Sequence, residues 1–133
     1  MKTQVAVNLK TTEVICLHSS KGRRHDFRLF KESRLHIHFD TLVLADTGYQ
    51  GMHKLHSQCE LPKKRSKRNP LTSEDKHRNQ SLSKRRMLVE NVIGALKRFK
   101  IIADRYRNRG KRFSLRFNLI AGIYNKMLNT AST

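Results

Sequence analysis

Two short segments near the start of the chain carry the hydrophobic pattern of a β-hairpin. Residues Thr3–Asn8 alternate polar and apolar side chains, and Val14–Leu17 are apolar with β-branched members. Leu9–Thr12 between them form a mostly polar connection of turn length. The period of two residues predicts that the chain begins with a pair of strands.

The next pattern is helical and then returns to a strand. Phe27 and Phe30 lie three positions apart, which places both rings on one face of a short helix predicted at His25–Arg34. The apolar run Thr41–Ala45 predicts a strand buried on both faces, and Asp46-Thr47-Gly48 marks a turn after it. One helical turn and one strand or extended segment are predicted at Met52–His56 and Glu60–Arg65.

A long helix is predicted in the second half of the chain. Thr72 followed by Asp75 forms the pattern of a capping box, and no Gly or Pro follows until Gly94. The helix is expected to extend to about Phe99, with a break near Ser81–Ser83 left open. Its apolar face comprises Leu82, Val89, Val92, Ile93, Leu96 and Phe99.

A basic loop, Ala103–Lys111, separates this helix from a last one, predicted from about Arg112 to Leu128. The last helix is expected to bury Phe113, Phe117, Ile120, Tyr124 and Leu128. The order β-β-α-β-(β)-α-α predicts an α/β layered domain. A length of 133 residues suits one domain over residues 1–133.

Charge changes this picture from an ordinary domain to a polyanion-binding one. The chain has 29 Lys and Arg against 10 Asp and Glu, a formal net charge of +19. Residues 1–60 contribute +3 and residues 61–133 contribute +16, with a dense basic run at Lys63–Arg68. Such an excess favours nucleic acid as the partner. Acidic membrane would need an amphipathic or lipidated anchor, which the sequence lacks.

The cellular compartment follows from simpler features. Cys16 and Cys59 give no disulfide framework, and the N-terminus has no apolar signal core. We therefore expect a soluble protein in a reducing, intracellular setting. His53, His56 and Cys59 fit no strong zinc-ligand spacing.

Two acidic residues occupy positions suited to chemistry. Asp46 follows a predicted strand, where α/β sheets bind ligands; the alternative is an Asp that caps the next turn. Glu90 lies in the long helix, with Arg86 and Lys97 within about 40° of it around the helix axis. That row could combine a metal-binding carboxylate with cations that hold phosphate. The alternative is an Arg86–Glu90 pair on a solvated helix.

Several segments resemble transposases of the insertion-sequence IS5/Harbinger type, members of the DDE superfamily of endonucleases. Leu44–Gly51 is similar to the segment around the second catalytic Asp, and Ser83–Ile101 to the region of the catalytic Glu. The spacing Arg86-x3-Glu90-x6-Lys97 matches most of the pattern Tyr-x2-Arg-x3-Glu-x6-Lys of the related IS4 group, with Ser83 in place of the Tyr. Further similar segments are Lys2–Val7, His25–Ser33, Arg105–Asn108 and Asn118–Asn125.

The resemblance implies an RNase H-like mixed sheet flanked by helices and phosphoryl transfer on DNA. Two Mg²⁺ (or Mn²⁺) ions, about 3.5–4 Å apart, would activate the nucleophile and stabilise the leaving oxygen. Asp46 and Glu90 would ligate these metals and act as catalytic residues, so their carboxylates are expected to approach each other. DNA would be bound by Lys63, Lys64, Arg65, Lys67, Arg68, Arg86, Lys97, Arg98, Arg105 and Arg107.

One expected residue has no counterpart in the chain. The family's first catalytic Asp belongs to a strand before the segment that begins here at Thr3, and neither Asp26 nor Asp40 matches it by resemblance. We therefore expect a truncated catalytic domain whose first catalytic strand is missing at the N-terminus, inactive alone. The alternatives are a non-catalytic basic DNA-binding module and a subunit completed by a separate transposase chain. Transposon ends and target DNA are the expected partners, with homo-oligomerisation open.

Overall fold

The computed structural model describes residues 2–98 and 109–131, with no side-chain description for residues 109–111. The chain divides into two compact units. One comprises Met1–Arg24 together with Leu88–Thr133, and the other comprises His25–Met87. The single domain predicted over residues 1–133 stays a prediction.

The first unit is built on the predicted hairpin. Strands β1 (Lys2–Val7) and β2 (Val14–Ser20) pair antiparallel, with Val5 opposite Leu17. The register shifts between Ala6 and Val7, an irregularity next to the turn. The alternating pattern therefore predicted both the strands and their pairing, because a period of two is a local property of the sequence.

The final helix, α3 (Arg109–Ala131), packs on this hairpin. Arg112 has non-helical dihedral angles, so the regular helix begins after it, as predicted. The core of the unit combines Val14 with Val92, Leu96, Phe113, Phe117, Ile120 and Ala121. Of the other expected core residues, Tyr124 and Leu128 are half-buried. The part of the predicted basic loop at residues 103–108 lies outside the described residues.

The Asn125 side chain attaches α3 to the hairpin. Its amide oxygen accepts from the Val14 backbone N–H, and its amide nitrogen donates to the Val14 carbonyl, both at 2.8 Å. Val14 is buried, so both backbone groups need partners inside the protein.

The second unit contains the predicted short helix, α1 (Asp26–Ser33), and two short strands, β3 (Val43–Leu44) and β4 (Cys59–Glu60). Between the strands lie two 3₁₀ turns, Thr47–Tyr49 and Met52–Lys54. Its core is formed by Met52, Cys59 and Leu61, with Phe27, Phe30, Val43, Ala45 and Tyr49 packed against them.

The prediction of a strand over Thr41–Ala45 buried on both faces was wrong in length and burial. Strand β3 comprises only Val43 and Leu44, both half-buried, and Leu42 is 43% exposed. The strand pairs in parallel with β4, which itself has only two residues. Strand length depends on a partner that continues alongside, and this partner is short.

Helix α2 (Ser73–Lys97) continues without interruption across Ser81–Ser83. The predicted capping box is present, because the Thr72 hydroxyl accepts from the Asp75 N–H and an Asp75 oxygen accepts from the Thr72 N–H, each at 3.1 Å. Leu82, Val92 and Leu96 of its predicted apolar face are buried.

The α/β class is confirmed. Over residues 2–98 and 109–131 the strands form two separate two-stranded sheets, one antiparallel and one parallel. No helix in these ranges combines the length and apolar character needed to cross a membrane.

Candidate functional site

Asp46 lies directly after β3 and caps the first 3₁₀ turn. Its Oδ1 atom accepts a hydrogen bond from the Thr47 N–H at 2.6 Å, and its carbonyl accepts from the Tyr49 N–H at 3.0 Å. The simple alternative of a turn-capping Asp therefore describes part of its role. The other oxygen, Oδ2, points elsewhere, and the side chain is 54% exposed.

The second oxygen of Asp46 contacts a cation from the long helix. Arg86 Nη2 lies 3.2 Å from Asp46 Oδ2, although the two residues are far apart in sequence. An ion pair this exposed contributes about 0–1 kcal/mol to stability, so the contact is weak evidence for a structural role. It does bring together the two sequence segments that carried the chemical predictions, Leu44–Gly51 and the helix around Arg86.

The structure places Asp26 beside the turn that carries Asp46. By resemblance Asp26 does not match the family's first catalytic Asp. It begins α1, and a Cβ atom built on Gly48 would lie only 2.0 Å from Asp26 Oδ2. The carboxylate thus occupies the space that any larger side chain at position 48 would need. No local sequence signal indicated this contact, because it joins a helix start to a turn twenty residues later.

The carboxylates of Asp26 and Asp46 both affect the pKa of Tyr49. Burial, followed by the negative charges of Asp26 and Asp46, raises the pKa of its phenol from 10.0 to about 12. Each effect disfavours the phenolate, since a buried anion is poorly solvated and is repelled by neighbouring anions. Asp26 and Asp46 therefore act on one phenol within the second unit.

The remaining predicted catalytic acid, Glu90, is exposed on α2, four positions after Arg86 in the same helix. Lys97 ends the helix and Arg98 follows it, and both side chains are exposed. Asp46 and Glu90 belong to different compact units, so the approach of their carboxylates stays a prediction. Arg105 and Arg107 lie outside the described residues.

The predicted DNA-binding cations of the second unit fall into two groups. Lys63 and Arg86 already hold carboxylates, those of Asp75 and Asp46. Arg85, next to Arg86, likewise pairs with Glu60 at 3.0 Å. Lys64, Arg65, Lys67 and Arg68 are exposed and form no ion pair with any described residue.

The donor chemistry for a metal is incomplete among the described residues. Mg²⁺ and Mn²⁺ prefer oxygen ligands, and the exposed Asp46 carboxylate is one such ligand. In residues 2–98 and 109–131, however, no three His, Cys, Asp or Glu side chains are grouped closely enough to hold an ion.

Comparison with known proteins gives a family. The family described as "Transposase DDE domain" matches residues 1–126. The chain is also 49% identical over 125 residues to a probable transposase for insertion sequence element IS702 from Microchaete diplosiphon. The match covers 94% of this chain and 45% of that relative, so the chain spans about half the relative's length. No solved structure matches the chain.

Proposed function

This chain belongs to the transposase DDE domain family, and on that premise we propose that it is a DNA-binding part of an insertion-sequence transposase. In this proposal Asp46 and Glu90 are the second and third acidic residues of a DDE centre, and Arg86 and Lys97 hold DNA phosphates. The finer assignments, an IS5-type element, an RNase H-like fold and two Mg²⁺ or Mn²⁺ ions as cofactors, belong to the same proposal.

One observation carries the site assignment. The ion pair between Asp46 and Arg86 joins the two family-like segments at 3.2 Å within a single compact unit. An Arg beside an acidic residue of a phosphoryl-transfer centre is suitably placed to bind a phosphate oxygen, because its fork of N–H donors matches phosphate geometry. Binding of DNA would then offer Arg86 a second anionic partner.

We further propose that the 133-residue chain binds DNA without cutting it. Two dications need more negative oxygen ligands than two carboxylates supply, and no three potential ligands are grouped among the described residues. A separate chain of the same transposase would have to complete the centre. Transposon ends and target DNA in the bacterial nucleoid would be the partners.

A plasmid-nicking assay tests the proposal. Purified chain is incubated with supercoiled plasmid and Mn²⁺ or Mg²⁺, beside Glu90→Ala, and DNA binding is measured on the same samples. We expect retained binding and no nicking by either protein.

Nicking by the chain that disappears in Glu90→Ala would overturn the inactive-alone proposal. In that case Asp26→Asn and Asp40→Asn identify which carboxylate completes the centre, with Asp26 as the first choice because it lies against Gly48. Absence of DNA binding at low salt would overturn the proposed function itself.

A further inference from the structure

Four cations of the second unit that form no ion pair with a described residue lie on one short loop. This basic loop, Lys64–Pro70, connects the segment after β4 to the start of α2 and contains Lys64, Arg65, Lys67 and Arg68. All four side chains are exposed, and Arg65, Ser66, Lys67 and Pro70 line an open concave surface. Four cations without carboxylate partners on one loop match a polyanion, since phosphates can replace the missing counter-charges.

The loop is held at its first end by Asn79. The amide oxygen of Asn79 accepts from the Lys63 backbone N–H at 2.8 Å, and its amide nitrogen donates to the Lys63 carbonyl at 3.0 Å. Asn79 is half-buried in the second turn of α2, so its own position is fixed by the helix. Both backbone groups of the residue preceding the loop are thus fastened to a rigid element.

A single carboxylate oxygen joins the two ends of the loop. Asp75 Oδ2 accepts from Lys63 Nζ at 2.9 Å and from the Thr72 backbone N–H at 3.1 Å. The Lys63 amino group, followed by the Thr72 N–H, holds the pKa of the Asp75 carboxyl below its ordinary value. The carboxylate therefore stays ionised, and keeps both contacts, at neutral pH.

The middle of the loop is also fastened. The Ser66 N–H donates to the Asn69 carbonyl at 3.2 Å, and the Asn69 N–H donates to the Ser66 hydroxyl oxygen at 2.9 Å. Lys67 and Arg68 lie between these two residues, at the tip of the resulting turn. The backbone that carries the cations is therefore ordered before any partner arrives.

We infer that Asn79 is a positioning residue for DNA binding, which sets the basic loop so that Lys64, Arg65, Lys67 and Arg68 meet the phosphates of a DNA duplex. The inference rests on the proposed DNA-binding function. Ordering a loop in advance removes an entropic cost from the binding step, and this cost is otherwise subtracted from affinity. Asn79 itself is neutral and touches no phosphate in this arrangement.

The test separates positioning from charge. Affinity for a fluorescently labelled duplex is measured by anisotropy at several salt concentrations, for the unsubstituted chain and three variants. Asn79→Ala removes the two hydrogen bonds to the Lys63 backbone. Gln80→Ala is the matched control, because Gln80 is the next residue of the same helix and its amide is exposed. A quadruple variant with Gln in place of Lys64, Arg65, Lys67 and Arg68 neutralises the loop.

We expect Asn79→Ala to weaken binding about 3- to 10-fold, because the loop must then be ordered on binding. The slope of log affinity against log salt should stay unchanged, since no phosphate contact is lost. The quadruple variant should reduce that slope by about 0.9 for each phosphate contact removed. Gln80→Ala should match the unsubstituted chain in both quantities.

The outcomes distinguish DNA binding by the basic loop from the positioning role of Asn79. An unchanged slope in the quadruple variant would remove the loop from the DNA surface and with it the inference. A reduced slope in that variant, with Asn79→Ala binding as tightly as Gln80→Ala, would overturn the positioning role alone. Equally tight binding of the unsubstituted chain to phosphatidylserine vesicles at the same salt would replace DNA by an anionic membrane as the partner.

Hydrogen exchange on the unsubstituted chain keeps the inference testable if Asn79→Ala does not fold. The Lys63 amide, bonded to Asn79, should exchange more slowly than the amides of Lys64 and Arg65. Addition of duplex should then slow exchange across the basic loop. Equal, fast exchange of all three amides in the free protein would contradict an ordered loop.

Discussion

Gly48 has no side chain, and the Asp26 carboxylate lies where one would be. A Cβ atom there would be 2.0 Å from Asp26 Oδ2, 3.0 Å from its Cγ and 3.2 Å from its Cβ. The whole short side chain of Asp26 would have to move, since aspartate has few rotatable bonds with which to withdraw one atom. The turn that carries Asp46 thus depends on a residue from another element.

We expect Gly48→Ala to destabilise the protein by about 1–3 kcal/mol, the usual cost of overpacking. The free energy of unfolding in urea measures it. Gly122→Ala is the control, because Gly122 lies in α3 with open space around it, and alanine there should stabilise by up to about 1 kcal/mol. Equal effects of the two substitutions would contradict the close approach of Asp26.

Tyr49 predicts a loss of stability in alkaline solution. Its pKa is raised from 10.0 to about 12 by burial, then by Asp26 and Asp46. The unfolded chain therefore loses this proton at a lower pH than the folded one. The contribution of the Tyr49 ionisation to the free energy of unfolding is therefore complete below pH 10 and is lost as the pH rises towards 12.

The measurement compares the free energy of unfolding of the unsubstituted chain and Tyr49→Phe across that pH window. The difference between them should shift in favour of the phenylalanine variant as the pH rises from 10 to 12. A difference that stays constant with pH would show that the phenol ionises alike in both states.

In the first unit, the Asn125 side chain joins helix α3 to strand β2 by hydrogen bonds of the kind that a neighbouring strand would make. The Asn125 amide offers one acceptor and one donor to Val14, as a neighbouring backbone would. Asn79 does the same for Lys63 in the second unit. In both units, therefore, a helix is fastened to an extended segment by two short hydrogen bonds rather than by apolar packing alone.

Asn125→Ala should destabilise the protein by about 1–3 kcal/mol, because it leaves the buried N–H and C=O of Val14 without partners. Asn118→Ala on the same helix is the control, since Asn118 is exposed and its amide donates to the Ser114 carbonyl one turn earlier. Its effect should stay within about 0.5 kcal/mol. Urea unfolding measures the free energy of unfolding of both variants. Comparable losses in the two would contradict the stabilising role of the Asn125–Val14 hydrogen bonds.

At the scale of the whole molecule, charge governs the partner. The net charge of +19 is concentrated in residues 61–133, and no counter-charge within the chain matches it. Four phosphate contacts from the basic loop alone would give a log–log salt slope of about −3.6 and lower affinity about 100-fold between about 50 and 200 mM salt.

Anisotropy titrations of the labelled duplex over that salt range measure the slope. Additional contacts from Arg86, Lys97 and Arg98 would steepen it. An affinity that does not change with salt concentration would rule out a phosphate-dominated interface. It would instead favour base contacts or another partner.

The sequence by itself determined the features that depend on neighbouring residues. Alternation predicted β1 and β2, the Thr72–Asp75 pair predicted where α2 begins, and Phe27 and Phe30 predicted α1. The segments around Asp46 and Glu90, together with further similar segments along most of the chain, indicated the transposase family that the comparisons show. Each structural signal lies within one turn or one strand, and the resemblance is carried by the order of residues along the chain.

Only the tertiary structure decided which distant residues meet. Arg86 could pair with Glu90 within its helix or with an acid elsewhere, and the fold of the second unit places it on Asp46. Asp26 could not be assigned to Gly48, nor Asn79 to Lys63, from any local pattern. The length of β3 was equally undetermined, because it depends on how far β4 runs beside it. Contacts between residues far apart in the chain follow from how the backbone closes, and a sequence period carries no information about that closure.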